Sequence, residues 1–309
     1  MVTMIKAEKL TKRFDDITAL DGITCTIPKG CVYGMVGSNG AGKSTFLRLA
    51  AGVYKPDGGL VTVDGMPIYE NPEHKARIAY IADETYFLPG ANLKKMAGFY
   101  AAGYPSFCMK RFTVLTDRFG LDIKKPLGSF SKGMRRQAAV ILALSRRADY
   151  YLFDETFDGL DPIVRKLVRS LICDEVIENN STVVVTSHSL RELEDTCDQL
   201  ALLHRGGVVL ESDVGNLKTS LFKIQVAFPQ EYDHSLFDGL ELVHFTKRGS
   251  VSNLIVRGDR KETVERLRVL QPTVLDALPL TLEEVFTYEM EALGYAFSET
   301  GIQGTEQAI

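Results

Sequence analysis

Between residues 4 and 33 hydrophobic and polar positions alternate, along Ile5-Lys-Ala-Glu-Lys-Leu10 and again along Ile23-Thr-Cys-Thr-Ile27, which predicts half-buried strands. Cys31-Val-Tyr-Gly-Met-Val36 is apolar throughout and predicts a buried strand, with a helix over residues 44–51 behind it. A turn at Pro56-Asp-Gly-Gly59 leads into a strand from Leu60, and Ile78-Ala-Tyr-Ile-Ala82 is a short strand ending at Asp83 and Glu84. Residues 85–128 read as helical segments broken by Pro89, Pro105 and Pro126, dense in aromatics such as Tyr86, Phe87, Phe99, Tyr100, Tyr104, Phe107 and Phe112. A long helix over residues 134–147 opens after Ser131, patterned by Ala138, Ile141, Leu142 and Leu144. Tyr150-Tyr-Leu-Phe153 is an apolar strand that ends in two carboxylates, Asp154 and Glu155. Next come a turn, a helix from residue 163 to about 179, the apolar strand Ser181-Thr-Val-Val-Val-Thr186 with His188 just beyond it, and a hairpin over 201–210.

From about Asp213 the pattern restarts, with alternating strands at 222–228 and between 240 and 256, a helix over 261–270, a short strand at 274–278 and a helix over 281–291. The expected organisation is an α/β domain over residues 1–212, holding a helical subdomain over about 85–147, and a small α+β domain over 213–297. The polar tail, 298–309, is expected to be disordered. The composition, 45% hydrophobic and 25% charged over 309 residues, is that of a soluble globular protein. A net charge of −4 gives no sign of a nucleic-acid-binding surface. No apolar run approaches the ~20 residues that cross a bilayer. The N-terminal residues carry charge where a secretion signal would have its apolar core. Any membrane connection is therefore expected to run through a partner. Cys25, Cys31, Cys108, Cys173 and Cys197 are scattered without a C-x-x-C pair and read as reduced, mostly buried thiols.

The chemistry centres on Gly37-Ser-Asn-Gly-Ala-Gly-Lys-Ser-Thr45, which fits the phosphate-binding pattern of a P-loop. Its glycines, Gly37, Gly40 and Gly42, allow a tight turn that brings backbone N–H groups against phosphate oxygens. With Ser38, Asn39, Ala41 and Thr45 they form the cradle, while Lys43 meets the β- and γ-phosphates and Ser44 ligates Mg²⁺. The loop lies between a predicted strand and a helix whose N-terminus faces the anion. It predicts a nucleoside triphosphate site without separating a kinase from a GTPase or a motor. Other candidates keep two readings on their own. Phe14 is an adenine-stacking ring or a core residue. Ser131 is a functional hydroxyl or a helix cap. Asp154 and Glu155 are a Mg²⁺ ligand and a catalytic base, or a solvated strand end. His188 is catalytic or a satisfied surface residue.

In order and spacing these motifs resemble the ATP-binding subunit of an ABC transporter, over residues 4 to about 212 and more weakly beyond. The resemblance makes Gly37–Thr45 the Walker A loop, Phe130-Ser-Lys-Gly-Met134 the signature, and Asp154 and Glu155 the Walker B aspartate and catalytic glutamate. Asp158-Gly-Leu-Asp161 becomes the D-loop, His188 the switch histidine and Phe14 the adenine-stacking aromatic. It implies a head-to-tail dimer, homomeric or heteromeric, around two ATPs. Ser131, Lys132 and Gly133 of each subunit would then act on the nucleotide of the other, with Mg²⁺ held by Ser44, Asp154 and Asp83. Separately encoded membrane permease subunits would be driven toward export, placing the protein on the cytoplasmic side of a membrane. Three departures stand out: Phe130, Lys132 and Met134 differ from the usual Leu-Ser-Gly-Gly-Gln, Asp83 stands where Gln is usual, and Thr156 replaces a proline. Ser-Lys-Gly-Met-Arg with Asp83 and Thr281-Leu-Glu-Glu-Val-Phe286 looks like the exporter subfamily that carries a C-terminal extension. The alternative is a soluble ABC-type ATPase acting on a ribosome or DNA. Against it, the chain has one ATPase half, and there is no coiled coil between Walker A and signature.

Overall fold

The structure is a computed structural model and describes residues 4–292. The chain forms two compact units that part between Ser212 and Asp213. In the first, β1 (Met4–Phe14) and β2 (Ile17–Pro28) pair antiparallel, with Ile5 opposite Ile27 and Phe14 opposite Ile17. β3 (Val32–Val36), α1 (Lys43–Ala50), β4 (Gly58–Val63), β5 (Met66–Pro67), α2 (Pro72–Lys75) and β6 (Ile78–Ile81) follow. Then come α3 (Leu93–Gly103), α4 (Met109–Phe119) and α5 (Lys132–Ser145). β7 (Tyr150–Phe153), α6 (Pro162–Asn179), β8 (Thr182–Ser187), α7 (Leu190–Glu194), β9 (Gln199–His204) and β10 (Gly207–Asp213) complete the unit.

Two sheets result. One has the order β2-β1-β4-β5, and the other β10-β9-β3-β8-β7-β6. In the second, β3, β6, β7, β8 and β9 run parallel. Every residue of β3, β7 and β8 is buried, as their unbroken apolar runs require of strands covered on both faces. Ile5, Leu10, Leu20 and Ile23 of the antiparallel sheet share one core with Tyr33, Met35 and Val184 of the parallel sheet, and with Phe46 and Leu47 of α1. Burial of each such side chain stabilises the fold by about 1.5–3 kcal/mol, so this core holds α1, and the loop before it, in place. α4 is tied to α6 by Arg111, whose guanidinium pairs with the fully buried Glu175. That carboxylate also accepts from Tyr151 Oη and Asn179 Nδ2, both at 3.1 Å.

The second unit contains α8 (Val214–Ser220), β11 (Leu221–Ala227), β12 (Glu241–Arg248), β13 (Val251–Arg257), α9 (Arg260–Arg268), β14 (Val274–Pro279) and α10 (Leu282–Ala292). Its sheet has the order β12-β13-β11-β14 and is antiparallel throughout. Phe222, Ile224, Val226, Phe237, Leu254, Val256 and Leu267 form its core. Among the described residues neither unit holds a His, Cys, Asp or Glu cluster of three or more suited to a metal.

Three short helices escape the sequence pattern. α2, α7 and α8 are too brief to show a hydrophobic period, and two are set by side-chain caps instead. Asn71 Oδ1 accepts from the His74 N–H at 3.3 Å, and Asp213 Oδ1 from the Asn216 N–H at 3.1 Å. β1 and β2 run longer than the alternation predicts. Register shifts between Ala7 and Leu10, where Lys9 has a φ of 47°, interrupt the period without ending the pairing. The tail expected to be disordered lies outside the described residues.

Candidate functional site

Parallel strands gather their carboxyl ends at one rim. Val36 stands opposite Ser187, Phe153 opposite Val185 and Ile81 opposite Phe153. The loops that follow therefore bring Gly37, Asp83, Asp154, Glu155 and His188 together from across the sequence.

The phosphate loop runs from β3 into α1, with Ser38, Asn39 and Gly40 exposed and Ala41, Gly42 and Lys43 buried. Gly42 has a φ of 106° and caps α1 without a side-chain bond, leaving the first N–H groups of the helix for an anion. A Cβ on Gly37 would fall 2.4 Å from the Leu203 carbonyl, so the close approach of β9 admits only glycine there. Lys43 Nζ donates to the carbonyls of Gly37 at 2.6 Å and Ser38 at 3.2 Å, and lies 3.2 Å from Glu155 Oε1. Thr45 is half-buried in the first turn of α1.

Asp154 is fully buried. Its Oδ1 accepts from Ser44 Oγ at 3.0 Å and Thr186 Oγ1 at 2.8 Å, while its buried Oδ2 has no hydrogen-bond partner. Burial raises the pKa of this carboxyl. The two hydroxyl bonds pull it down, and the neighbouring charges of Asp83 and Glu155 push it further up. A buried carboxylate oxygen without a donor, beside a serine hydroxyl, suits a hard divalent cation with oxygen ligands. The donor set fits Mg²⁺.

Glu155 follows with a φ of 44°, in the left-handed region. The turn aims its carboxylate back across the rim. Its backbone N–H is anchored on Thr186 Oγ1 at 3.0 Å, and its Oε2 accepts from the His188 N–H at 3.3 Å. His188 Nδ1 lies 3.0 Å from the same oxygen, on a ring that is exposed. Glu155 is thus held between an ammonium and an imidazole at the mouth of the phosphate loop. Phe14, 38% exposed, is no core residue. Its ring meets Tyr54 edge-on at 5.4 Å and has Lys12 Nζ 5.3 Å from its centroid.

The other predicted residues make contacts of a different kind. Ser131 caps α5, accepting from the Met134 N–H at 3.2 Å, and Asp161 caps α6, accepting from the N–H groups of Ile163 and Val164 at 3.0 Å. Lys132 is held by Asp158 at 2.6 Å, a bond that lowers the pKa of that carboxyl. Gly133 lies against Gly159, whose carbonyl would be 2.7 Å from an added Cβ. Asp83 is turned onto Arg136, with Oδ1 2.9 Å from Nη2. Two residues escaped the sequence reading. Thr186, the polar end of an apolar strand, holds both Asp154 and Glu155. Arg136 is 1% exposed, and the signal was its helical spacing one turn before Val140 on the buried face of α5.

Such a rim, with a P-loop opposite a buried aspartate and a glutamate, defines a P-loop nucleoside triphosphatase. Residues 20–158 match the family described as ABC transporter. The ABC transporter ATP-binding protein YtrB of Bacillus subtilis is 30% identical over 283 residues, covering 92% of this chain and 97% of its own. The daunorubicin/doxorubicin resistance ATP-binding protein DrrA of Streptomyces peucetius is 31% identical, over 70% of this chain and 67% of its own. Two solved structures share the fold of the first unit. The ATP-binding subunit of an ABC transporter superposes with a TM-score of 0.65 at 23% identity, over 70% of this chain and 92% of its own. The cassette MJ0796, dimeric and bound to ADP and Pi, superposes with a TM-score of 0.62 at 21% identity, over 68% and 99%. The chain belongs to the ABC transporter family of ATP-binding proteins, and it is an ATP-binding, ATP-hydrolysing subunit. The mixed α/β cassette fold agrees with the sequence expectation, and the relatives favour a transporter over a ribosomal or DNA-directed ATPase.

Proposed function

We propose that this subunit pairs head-to-tail with a second ATPase subunit around two ATPs and drives export through separate membrane permease subunits. The observation that carries the reading is the network in which Lys43, Ser44, Asp154, Glu155 and His188 meet at one sheet rim. In it the loop N–H groups and Lys43 take the triphosphate, and Phe14 offers its open face to the adenine. Ser44 and Asp154 would hold Mg²⁺, which would supply positive charge against the phosphate oxygens. Glu155 accepts a proton from the water that attacks the γ-phosphorus. The bond to the bridging oxygen breaks, and ADP and phosphate leave. His188 orients that carboxylate. Ser131 and Gly133, at the open end of α5, face the nucleotide of the opposite subunit.

A groove of about 380 Å³ is lined by Val53, Tyr86, Tyr100 and Tyr104 together with Lys75, Glu84 and Arg146. Tyr86 and Val53 are exposed, and a segment of a membrane subunit that carries both apolar and charged side chains is the occupant that this mixed lining suits. Among the described residues no helix is long and apolar enough to cross a membrane, so the link must be made by contact. Capture of the tagged protein from detergent-treated membranes is expected to bring down a multi-span membrane protein. Recovery of ribosomes or DNA alone would sink the transport reading. Replacing Phe14 with Ala is expected to weaken ATP binding by about 1–3 kcal/mol, the usual worth of one base–aromatic stack. Titration with a fluorescent nucleotide measures it, and unchanged affinity would remove Phe14 from the site.

A further inference from the structure

Arg136 is the largest of the fully buried side chains, and it is charged. It reaches from the second turn of α5 across the ends of two neighbouring strands. Nη1 donates to the Ala82 carbonyl at 3.0 Å, just beyond β6, and to the Asp154 carbonyl at 3.4 Å, just beyond β7. Nη2 donates to Asp83 Oδ1 at 2.9 Å. A planar guanidinium can serve three acceptors at once, and a lysine could not reach the same set. The helix that begins at Ser131 is thereby fastened to the residue whose side chain faces the phosphate loop.

Asp83 is the partner that makes a buried cation tenable. Two carbonyls offer dipoles, and Asp83 is the carboxylate that bonds the guanidinium directly, with the charge of Asp158 also acting on it. The acid at this position is matched by an arginine 53 residues away in the chain. We infer that Arg136 is a positioning residue that fixes the signature helix against the Walker B strand, and that Asp83 serves as its counter-charge rather than as a Mg²⁺ ligand. The inference rests on the reading of Ser44 and Asp154 as the Mg²⁺ site. It makes the pair, not either residue alone, the link between the nucleotide site and the signature.

A double-mutant cycle on the full chain tests this, with turnover, nucleotide affinity and Mg²⁺ dependence measured for each variant. The hydrogen bonds of Arg136 run to Ala82, Asp83 and Asp154 rather than to the P-loop. Asp83→Ala should therefore lower kcat by roughly 10- to 100-fold through misplacement of α5. Its ATP affinity, and the Mg²⁺ concentration that half-saturates ATP binding, should stay within about twofold of the parent. In an Arg136→Gln background, kcat already reduced, Asp83→Ala should change kcat by less than about twofold, because coupled residues are not additive. Should Arg136→Gln fail to fold, Arg136→Met, which fills the same channel without charge, takes its place in the cycle. The inference is overturned if Asp83→Ala raises the Mg²⁺ requirement about tenfold or more. It is also overturned if the mutation costs the same factor in kcat in both backgrounds, since either result would show Asp83 acting without Arg136. A parent protein that bound no ATP would instead fail the nucleotide-site reading, before the cycle began.

Discussion

Glu155→Gln is expected to bind ATP and hydrolyse it about 10²–10⁴-fold more slowly, the usual loss when a general base is removed. The amide keeps the shape of the side chain and can still bond His188, so the rim stays assembled. It cannot take a proton from water. Glu155 also holds Lys43 at 3.2 Å, a pair that the γ-phosphate must displace. The amide releases that ammonium, and ATP affinity is expected to hold or rise while turnover falls. Single-turnover hydrolysis and equilibrium nucleotide binding, measured on one preparation, separate the two effects. Near-parental turnover would mean the base lies elsewhere.

That slow variant gives access to the dimer. In a Glu155→Gln background ATP should hold two subunits together, because hydrolysis no longer releases them. Adding Ser131→Arg should abolish the ATP-induced dimer, by placing bulk and an unmatched cation where the partner's γ-phosphate is expected. Among the described residues the Ser131 hydroxyl accepts from the Met134 N–H, so its loss should cost about 1 kcal/mol of helix capping and no ATP affinity in the monomer. Lys43→Ala should behave in the opposite way. It removes the ammonium held beside the loop carbonyls, and should weaken ATP binding already in the monomer. Gel filtration reads assembly and nucleotide titration reads affinity. If Ser131→Arg depressed monomer affinity as deeply as Lys43→Ala, the signature would be acting within its own subunit and the shared-site dimer would be wrong.

What could be read from the sequence depended on how local each interaction is. The phosphate loop is contiguous, its strand and helix flank it, and each residue type carries its own reason, so the site was legible there. Asp154, Glu155 and His188 were legible because each ends or follows an apolar strand, and parallel strands present their ends together. The pairing Thr186 to Asp154 crosses 32 residues and Arg136 to Asp83 crosses 53, and no periodic pattern encodes either contact. Phe14 shows the limit from the other side. A lone aromatic in a strand reads first as core, and only its exposure in the fold takes Phe14 out of it. Lys132, free to be imagined beside a partner's nucleotide, is engaged by Asp158 of its own chain.

The left-handed backbone at Glu155 has a consequence for the protein as a whole. A residue with a side chain held there gives up about 1–2 kcal/mol of conformational energy. That is a noticeable share of the roughly 5–15 kcal/mol by which a domain resists unfolding. Glycine would recover it and lose the carboxylate. It would also leave the buried Lys43 ammonium without its carboxylate, so the relief of the turn and the loss of the ion pair come together. The two effects oppose one another, and selection for heat resistance has no net reason to remove the residue after Asp154.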